Sequence, residues 1–388
     1  MAPQMESSHK TQYAIIKTTS EIEALSSRVR GAERVAVDTE ADSLHHYFEK
    51  VCLIQLTLAG ENYIVDPLAG ADLASLISAL ADKTLILHGA DYDLRMLASS
   101  LGFRAQGEIF DTMIAARLLG YKEIGLAALV LHHFGVTLPK RGRKSDWSRR
   151  PLTLEQLSYA SDDTRYLEPL ADKLRDELEA KGRLGWHREA CAAMVRAAGE
   201  VREKDPEDDW RIKGTAALSS KEMAFVSEIW KWREDEAQRV DLPPFKILMN
   251  EQIVAMATGS AASGGGQEIP RGAKLPRNCT GPRLAALHRA IEKARKMTQA
   301  DWPRKRKSKR GEPCSMEVVD ALRSECLHIA KANGLEPSLL APRALLASIA
   351  RSRPASMQQM IAEGPMMNWQ AELLWPGFEK ILSRRSKP

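Results

Sequence analysis

The sequence predicts an α/β domain with a mixed sheet and flanking helices, followed by two small all-α domains. Short apolar runs typical of strands lie close together near the N-terminus, and strands then alternate with helical patterns up to about residue 135. Beyond residue 212 only helical spacing is convincing. A chain of 388 residues is also long for one hydrophobic core, so two or three domains are expected.

The predicted strands and helices follow one another in an order that indicates a mixed sheet covered by helices. Strands are predicted, in chain order, at residues 34–41, 51–59, 62–67, 84–89 and 108–112. Helices are predicted at residues 71–82, 92–102, 112–120 and 125–135, and almost throughout residues 152–202.

Shifts in composition divide the chain into predicted domains and linkers. The parts are a first domain at residues 1–205, a helical domain at 212–298, a basic linker at 299–314 and a second helical domain at 315–388. The run SAASGGGQ (260–267) has no strand before it and no Lys followed by Ser or Thr, so we interpret it as a flexible loop. The similar size of the two helical domains suggests divergent copies of one module.

The composition is typical of a globular, cytoplasmic protein. Apolar residues make up 44% of the chain, and no apolar run approaches the ~18 residues that a membrane span requires. The polar N-terminus lacks the pattern of a signal peptide. Five scattered cysteines without a CxxC motif argue against a disulfide framework or a structural zinc site. Nothing in the sequence requires a dimer, so we expect a monomer. Because no segment could span a membrane, we also expect no membrane partner.

Positive charge is concentrated in one segment. Residues 271–311 carry fourteen Lys and Arg against two acidic residues, although the whole chain has a net charge of only +5. Such a segment favours an anionic polymer as partner, because Lys and Arg neutralise phosphates. For RKRKSKR (304–310) alone, a solubilising linker is an equally good interpretation.

Two carboxylates end the strand predicted at residues 34–41. Asp38 and Glu40 are two residues apart, so their side chains point to the same face. A strand that runs out into solvent would explain such a pair. Half of a metal site would explain it as well, provided that further carboxylates come close.

Two predicted helices supply those carboxylates. Asp93 falls on the apolar stripe of its helix, whereas Asp91 lies where an N-cap is expected. Asp163 falls on the buried stripe of its own helix, one turn after Tyr159, whereas Asp162 falls on the polar side.

The four inward acids together predict a metal site. Charged residues are rarely buried unless they are paired or bound to metal, and no inward Lys or Arg accompanies these stripes. Two divalent cations ~4 Å apart would relieve the repulsion and suit displacement at phosphorus. Oxygen ligands favour Mg²⁺ or Mn²⁺. The predicted metal ligands are Asp38, Glu40, Asp93 and Asp163.

At these residues the chain resembles the DEDD exonucleases of the tyrosine subclass, and specifically the ribonuclease D family. The matching stretches are VAVDTEADSLHHYFEKVCLIQL (35–56), LHGADYDLRML (87–97) with EIFDT (108–112), and SDWSRRPLTLEQLSYASDDTRYL (145–167). Further along, residues 219–258 resemble the opening of an HRDC module and residues 315–382 resemble a second one. SAASGGGQEI stands where the first module should have its middle motif.

The resemblance implies a ribonuclease-H-like sheet and 3′-to-5′ hydrolysis of RNA, one nucleotide at a time, to nucleoside 5′-monophosphates. It further implies that Asp38, Glu40 and Asp163 ligate the metal that activates the attacking water. Asp38 would bridge to a second metal, which Asp93 would hold largely through water. Tyr159 would orient the attacking water, because a phenol with a pKa near 10 is a poor base at neutral pH.

The expected partner is RNA with a single-stranded 3′ end, such as a tRNA precursor. The loop KRGRKSDWSRR (140–150) is rich in basic residues and precedes Tyr159, so we expect it to contact RNA, with the tryptophan stacking on a base. The predicted contacts are Lys140, Arg141, Arg143, Lys144 and Trp147. A DNA exonuclease of the same superfamily and a non-catalytic RNA-binding scaffold are the alternative functions.

Overall fold

A six-stranded mixed sheet forms the framework of the N-terminal part of the chain. Its strands are β1 (Tyr13–Ile16), β2 (Arg34–Ala41), β3 (Val51–Leu58), β4 (Glu61–Val65), β5 (Thr84–Leu87) and β6 (Ile109–Asp111). Their order across the sheet is β1-β4-β3-β2-β5-β6, and β3 is antiparallel to both β2 and β4, whereas the other pairs are parallel. The predicted mixed sheet is confirmed, and β2 and β3 lie in its middle.

The computed structural model describes residues 13–139, 145–200, 208–263, 275–277, 279–304, 315–364 and 366–383. The chain divides into two compact units. The first contains Met1–Ala41, Val51–Glu200 and Lys309–Pro388, and the second contains Asp42–Lys50 and Val201–Ser308. The C-terminal helices therefore belong to the same unit as the sheet, although the intervening helices do not.

Helices cover both faces of the sheet. They are α1 (Thr19–Gly31), α2 (Ala74–Ala81), α3 (Asp91–Leu101), α4 (Thr112–Leu119), α5 (Leu126–Phe134), α6 (Leu154–Arg165), α7 (Leu167–Ala180) and α8 (Leu184–Gly199). Alternate strand residues point to opposite faces. Val35 and Val37 lie in a core with α1, α2 and α3, whereas Ala36 lies in another core with α4 and α7. Asp38 and Glu40 therefore share the face of Ala36.

Neither the first strand nor the first helix of this part was predicted. β1 has only four residues and pairs in parallel with β4 at the edge of the sheet. α1 begins with a capping box in which the Thr18 side chain accepts from the backbone N–H of Glu21, while the Glu21 carboxylate accepts from that of Thr18. That capping pattern was the signal for α1.

The second unit is helical in its described residues, apart from loops. Its helices are α9 (Ser220–Arg239), α10 (Pro244–Ile247), α11 (Asn250–Ala262) and α12 (Gly281–Lys296). The loop 42–50 is held to this unit by Asp241, whose carboxylate accepts hydrogen bonds from the backbone N–H groups of Tyr47 (3.0 Å) and Phe48 (3.2 Å). The same carboxylate lies 2.7 Å from His46 Nδ1.

The C-terminal helices pack onto the sheet-containing part of the first unit. They are α13 (Met316–Asn333), α14 (Pro337–Leu340), α15 (Arg343–Ser352), α16 (Met357–Glu363) and α17 (Asn368–Leu382). Their core is continuous with that of α4 and α7. Arg183 donates to the carbonyl oxygens of Leu118 and Asn333, both at 2.6 Å, and Trp186 stacks on Trp369 with ring centres 4.8 Å apart.

The two helical segments share the order of their first three elements. In both, a long helix is followed by a one-turn helix that begins with proline and then by a third helix. In the described part of the chain, none of the helices has the length and apolar character that crossing a membrane requires.

Candidate active site

The end of β2 carries two of the acids. β2 pairs with β5 only from Arg34 to Ala36, so Asp38 and Glu40 lie beyond the last residue paired on that side. On the other side β2 continues to pair with β3, and its register shifts between Glu40 and Ala41. The acids are thus attached to a strand that stays paired on one side after its neighbour on the other side has ended.

Helix α6 brings the third acid to this strand end. Its buried residues are Leu157, Ala160, Ser161 and Thr164. Thr164 Oγ1 lies 2.8 Å from Thr57 Oγ1 on β3, which ties the helix to the sheet. The residue just before it, Asp163, joins Asp38 and Glu40, and oxygens of the three carboxylates lie within 4.8 Å of one another.

The burial of α6 differs from the sequence prediction in one respect. Asp163 is half-buried at the edge of the packed face rather than within it, and Asp162 is half-buried as well. The buried residues of α6 named above pack against the sheet, and Asp163 lies beside this interface between α6 and the sheet. Among the described residues, Asp163 belongs to the group of three acids and Asp162 does not.

Asp93 lies close to this group but is held differently. It is 7% exposed, and its Oδ1 accepts hydrogen bonds from the backbone N–H of Thr39 (3.1 Å) and from the Thr39 hydroxyl (2.6 Å). The inward direction predicted for Asp93 is confirmed. The N-cap role predicted for Asp91 is wrong, because Ala90 occupies the cap and Asp91 forms an ion pair with Arg95 one turn later.

A buried carboxylate that the sequence analysis missed sets the start of α3. Asp111 is 0% exposed and caps α4, accepting from the backbone N–H of Met113 at 2.8 Å. It also accepts from the N–H groups of Gly89 (3.2 Å) and Ala90 (2.7 Å), where α3 begins. Gly89 has φ +79°, which favours glycine. These hydrogen bonds to Asp111 fix the start of α3 and so position Asp93. The sequence signal for them was Asp111 followed by Thr112, directly before an apolar helix.

Burial and mutual repulsion strain the acids electrostatically. Burial, followed by the carboxylates of Asp93, Asp163 and Glu40, raises the pKa of Asp38 well above its usual range. Burial also raises the pKa of Asp93 to about 6, although hydrogen bonds from Thr39 oppose this change. A divalent cation would relieve this repulsion, and a set of carboxylate oxygens matches its ligand preference.

Tyr159 lies one turn before Asp163 and is half-buried. Burial raises the pKa of its hydroxyl well above the usual value, and the acids of the group raise it further, Asp163 also by accepting its hydrogen bond. The phenol therefore stays protonated at neutral pH. It can donate or accept a hydrogen bond beside the acids, but it cannot act as a base there.

Comparisons with known proteins agree with this geometry. Residues 13–179 match the 3′-5′ exonuclease family, and residues 222–260 match the HRDC domain. A ribonuclease D of Acidiphilium cryptum is 34% identical over 262 residues, which are 66% of this chain and 66% of that protein. A ribonuclease D of Gluconacetobacter diazotrophicus is 30% identical over 335 residues, 84% of this chain and 83% of that protein.

The chain belongs to the ribonuclease D family. This ribonuclease D family member is a 3′-5′ exoribonuclease. The crystal structure of Escherichia coli RNase D, an exoribonuclease involved in structured RNA processing, is 25% identical and superposes with a TM-score of 0.73. The superposition covers 96% of this chain and 98% of the Escherichia coli chain. A protein from Bifidobacterium adolescentis has the same fold, with a TM-score of 0.77 and 24% identity.

The predicted RNA-contact loop of this ribonuclease D family member is only partly described. Lys140, Arg141, Arg143 and Lys144 lie outside the described residues. Trp147 is 1% exposed and packs in a core with residues of β3, β4 and α6, so its predicted role in stacking on a base is wrong.

The same loop contains a structural arginine. Arg150 makes two hydrogen bonds to the buried Asp66 carboxylate, at 2.8 and 2.6 Å, and donates to the carbonyl oxygens of Cys52 and Trp147. A planar guanidinium suits such paired contacts. Arg150 therefore fixes the loop against the sheet. The sequence alone did not indicate that Arg150 is structural, because it belongs to a run of basic residues for which RNA contact was expected.

Proposed function

We propose that the chain shortens RNA from the 3′ end with two divalent cations, Mg²⁺ or Mn²⁺, bound at the acidic group. One observation carries the proposal: carboxylate oxygens of Asp38, Glu40 and Asp163 lie within 4.8 Å of one another at the end of a central strand. Two cations of this kind suit in-line displacement at phosphorus.

The residues divide between the two proposed cations according to their positions. Asp38, Glu40 and Asp163 would hold the first cation, and Asp38 would also contact the second. Asp93 would contact the second cation. Because Thr39 already donates two hydrogen bonds to Asp93 Oδ1, the other carboxylate oxygen would face the cation. When bound, the cations would lower the pKa of water and neutralise charge on the attacking and leaving oxygens.

In the proposed reaction, a water oxygen bonds to the terminal phosphorus and the bond from that phosphorus to the preceding 3′ oxygen breaks. The products are a nucleoside 5′-monophosphate and an RNA with a new 3′ hydroxyl. Tyr159 would hold the attacking water through its hydroxyl, because its raised pKa keeps the proton in place. Its link to Asp163 aligns the hydroxyl with the acids.

The proposed substrate is an RNA with a single-stranded 3′ end, such as a tRNA precursor. Membership of the ribonuclease D family supports RNA, and the structured-RNA processing of the Escherichia coli relative supports this kind of substrate. We further propose a cytoplasmic monomer with the domain boundaries predicted from the sequence. In it, the HRDC-like modules and the basic linker would bind RNA.

A time course on 5′-labelled single-stranded RNA and matched DNA tests the proposal, with Mg²⁺, Mn²⁺ or EDTA present. We expect a metal-dependent ladder that shortens from the 3′ end of RNA only, and no ladder from the Asp38→Asn variant. Shortening of DNA at an equal rate would instead favour a DNA exonuclease. No shortening of either strand by the wild type would favour an RNA-binding scaffold.

A further inference from the structure

Gln55 is a buried amide without a visible purpose in the fold. It lies on β3 with 0% exposure, and within the described residues neither its Oε1 nor its Nε2 has a hydrogen-bond partner. Buried polar groups are nearly always hydrogen-bonded, because an unpaired one retains the full cost of leaving water. An apolar side chain would fill this position at lower cost.

The neighbouring polar residue on the same face is satisfied. Thr57, two residues along β3, has its Oγ1 2.8 Å from both Asn62 Oδ1 and Thr164 Oγ1. Polar side chains on this face of β3 are therefore not all unsatisfied, although Ser161 Oγ on α6 and the nearby Trp147 Nε1 also have no partner among the described residues. Gln55 differs from these groups in one feature, which is its position opposite an acid of the site.

The register of the sheet provides that feature. β2 and β3 are antiparallel, and Gln55 is the direct partner of Asp38. Residues directly opposite each other share a face, with Cβ atoms about 4.5–5.5 Å apart. The Gln55 amide therefore lies on the face of the acidic group, within reach of the carboxylate that we propose contacts both cations.

We propose that Gln55 is a positioning residue for the metal site, whose Nε2 donates a hydrogen bond to the Asp38 carboxylate when cations are bound. This inference rests on the proposed function. Carboxylates that bind metals are usually hydrogen-bonded by an outer residue, and loss of that residue typically lowers metal affinity 10–100-fold. The amide donates without adding charge, so it orients Asp38 while leaving its charge available to the cations.

Metal binding to the Gln55→Leu variant tests this role, because leucine has a similar volume and cannot donate. Mn²⁺ binding to the full chain is measured by calorimetry, alongside the melting temperature of the metal-free protein. We expect Mn²⁺ affinity to fall by roughly 10–100-fold, with no decrease in the metal-free melting temperature. Ser260→Ala is the matched control, since it removes another buried polar group, a hydroxyl, that has no partner in the described part of the chain. It should retain wild-type affinity.

The possible failures are distinguishable. Wild-type affinity in Gln55→Leu would overturn the positioning role, and a lower melting temperature with that affinity would indicate a buried water bound to the amide instead. Failure of the wild type to bind Mn²⁺, or undiminished binding by Asp38→Asn, would overturn the proposed function itself. If Gln55→Leu does not fold, Gln55→Met is measured in the same way, and wild-type affinity in that variant would equally overturn the role.

Discussion

Neighbouring acidic residues take different roles here because a helix turns each residue about 100° from the previous one. Asp93 is buried against Thr39, whereas Asp91, two positions earlier, pairs with Arg95. Asp163 joins the acidic group and Asp162 does not. Charge alone therefore does not identify the site, and the direction of each side chain does.

Asp163→Asn should abolish hydrolysis, whereas Asp162→Asn should leave it nearly intact. Loss of a proposed metal ligand is expected to exceed the roughly 10–100-fold effect of an outer residue. Initial rates on labelled RNA at saturating Mn²⁺ measure the difference, and Asp162→Asn serves as the isosteric control. Equal damage from both substitutions would contradict the assignment of Asp163 to the site.

His88 should make stability depend on pH. Its Nδ1 lies 2.9 Å from the Thr112 hydroxyl, and burial lowers its pKa from 6.5 to about 4. Between these two pH values, His88 is protonated in the unfolded chain and neutral in the folded chain. The free energy of unfolding therefore decreases as the pH falls from about 6.5 to about 4.

The His88→Gln variant isolates this contribution. We expect the free energy of unfolding to vary less steeply over that pH range than in the wild type, by up to about 1.4 kcal/mol per pH unit. Urea titrations at several pH values between 4 and 6.5 measure the slope. Identical slopes in the two proteins would show that His88 takes up its proton in the folded state as readily as in the unfolded state.

At the scale of elements, the Asp241 carboxylate helps to hold the loop 42–50, together with hydrogen bonds of the Tyr47 hydroxyl to Glu234 and from Gln238. Asp241 has φ +48°, a left-handed conformation that is uncommon for a residue other than glycine. That conformation turns the end of the α9 segment so that the carboxylate meets the backbone of Tyr47 and Phe48. His46 also contributes by lowering the pKa of Asp241.

The Asp241→Gly variant should release this loop. Glycine adopts a positive φ without strain, so the substitution removes the carboxylate and preserves the turn. We expect faster hydrogen exchange at the amides of Tyr47 and Phe48, measured by mass spectrometry of the peptides that contain them. Asp235→Ala removes an exposed acid from α9, the helix just before Asp241, and should leave exchange unchanged. Unchanged exchange in Asp241→Gly would show that other contacts hold the loop.

At the scale of the whole molecule, two helix ends meet where the C-terminal helices pack on the sheet-containing part of the first unit. Gly120 ends α4 with φ +86°, and a Cβ there would lie 2.2 Å from the carbonyl oxygen of Gly334, which ends α13. Only glycine allows this approach. The contact joins segments that are more than two hundred residues apart in the sequence.

Gly120→Ala should therefore destabilise the first unit more than Gly102→Ala does. Gly102 also ends a helix with positive φ, +67°, but a Cβ there meets nothing within 4 Å. Gly102→Ala is expected to cost only the roughly 1–2 kcal/mol of a left-handed alanine. Denaturant titrations compare the free energies of unfolding, and equal losses would contradict the close approach.

Strands and helices with a clear hydrophobic period were predictable from the sequence, whereas very short strands and breaks between consecutive helices were not. The central strands and the helices α2 to α5 lie where apolar spacing predicts them. β1 has too few residues for a period to register, and its pairing with β4 depends on a distant strand. The helical stretch at 152–202 breaks at Tyr166 between α6 and α7, which helical periodicity alone did not reveal.

The sequence by itself determined which acids could converge, because alternation on β2 and the helical period on α3 and α6 are local properties of the chain. It also determined the family, through ordered motifs that carry those acids. Only the tertiary structure decided that Trp147 is buried, that Gln55 faces Asp38, and that the C-terminal helices join the sheet-containing unit. These features depend on strand register and on packing between distant segments, which no local pattern encodes.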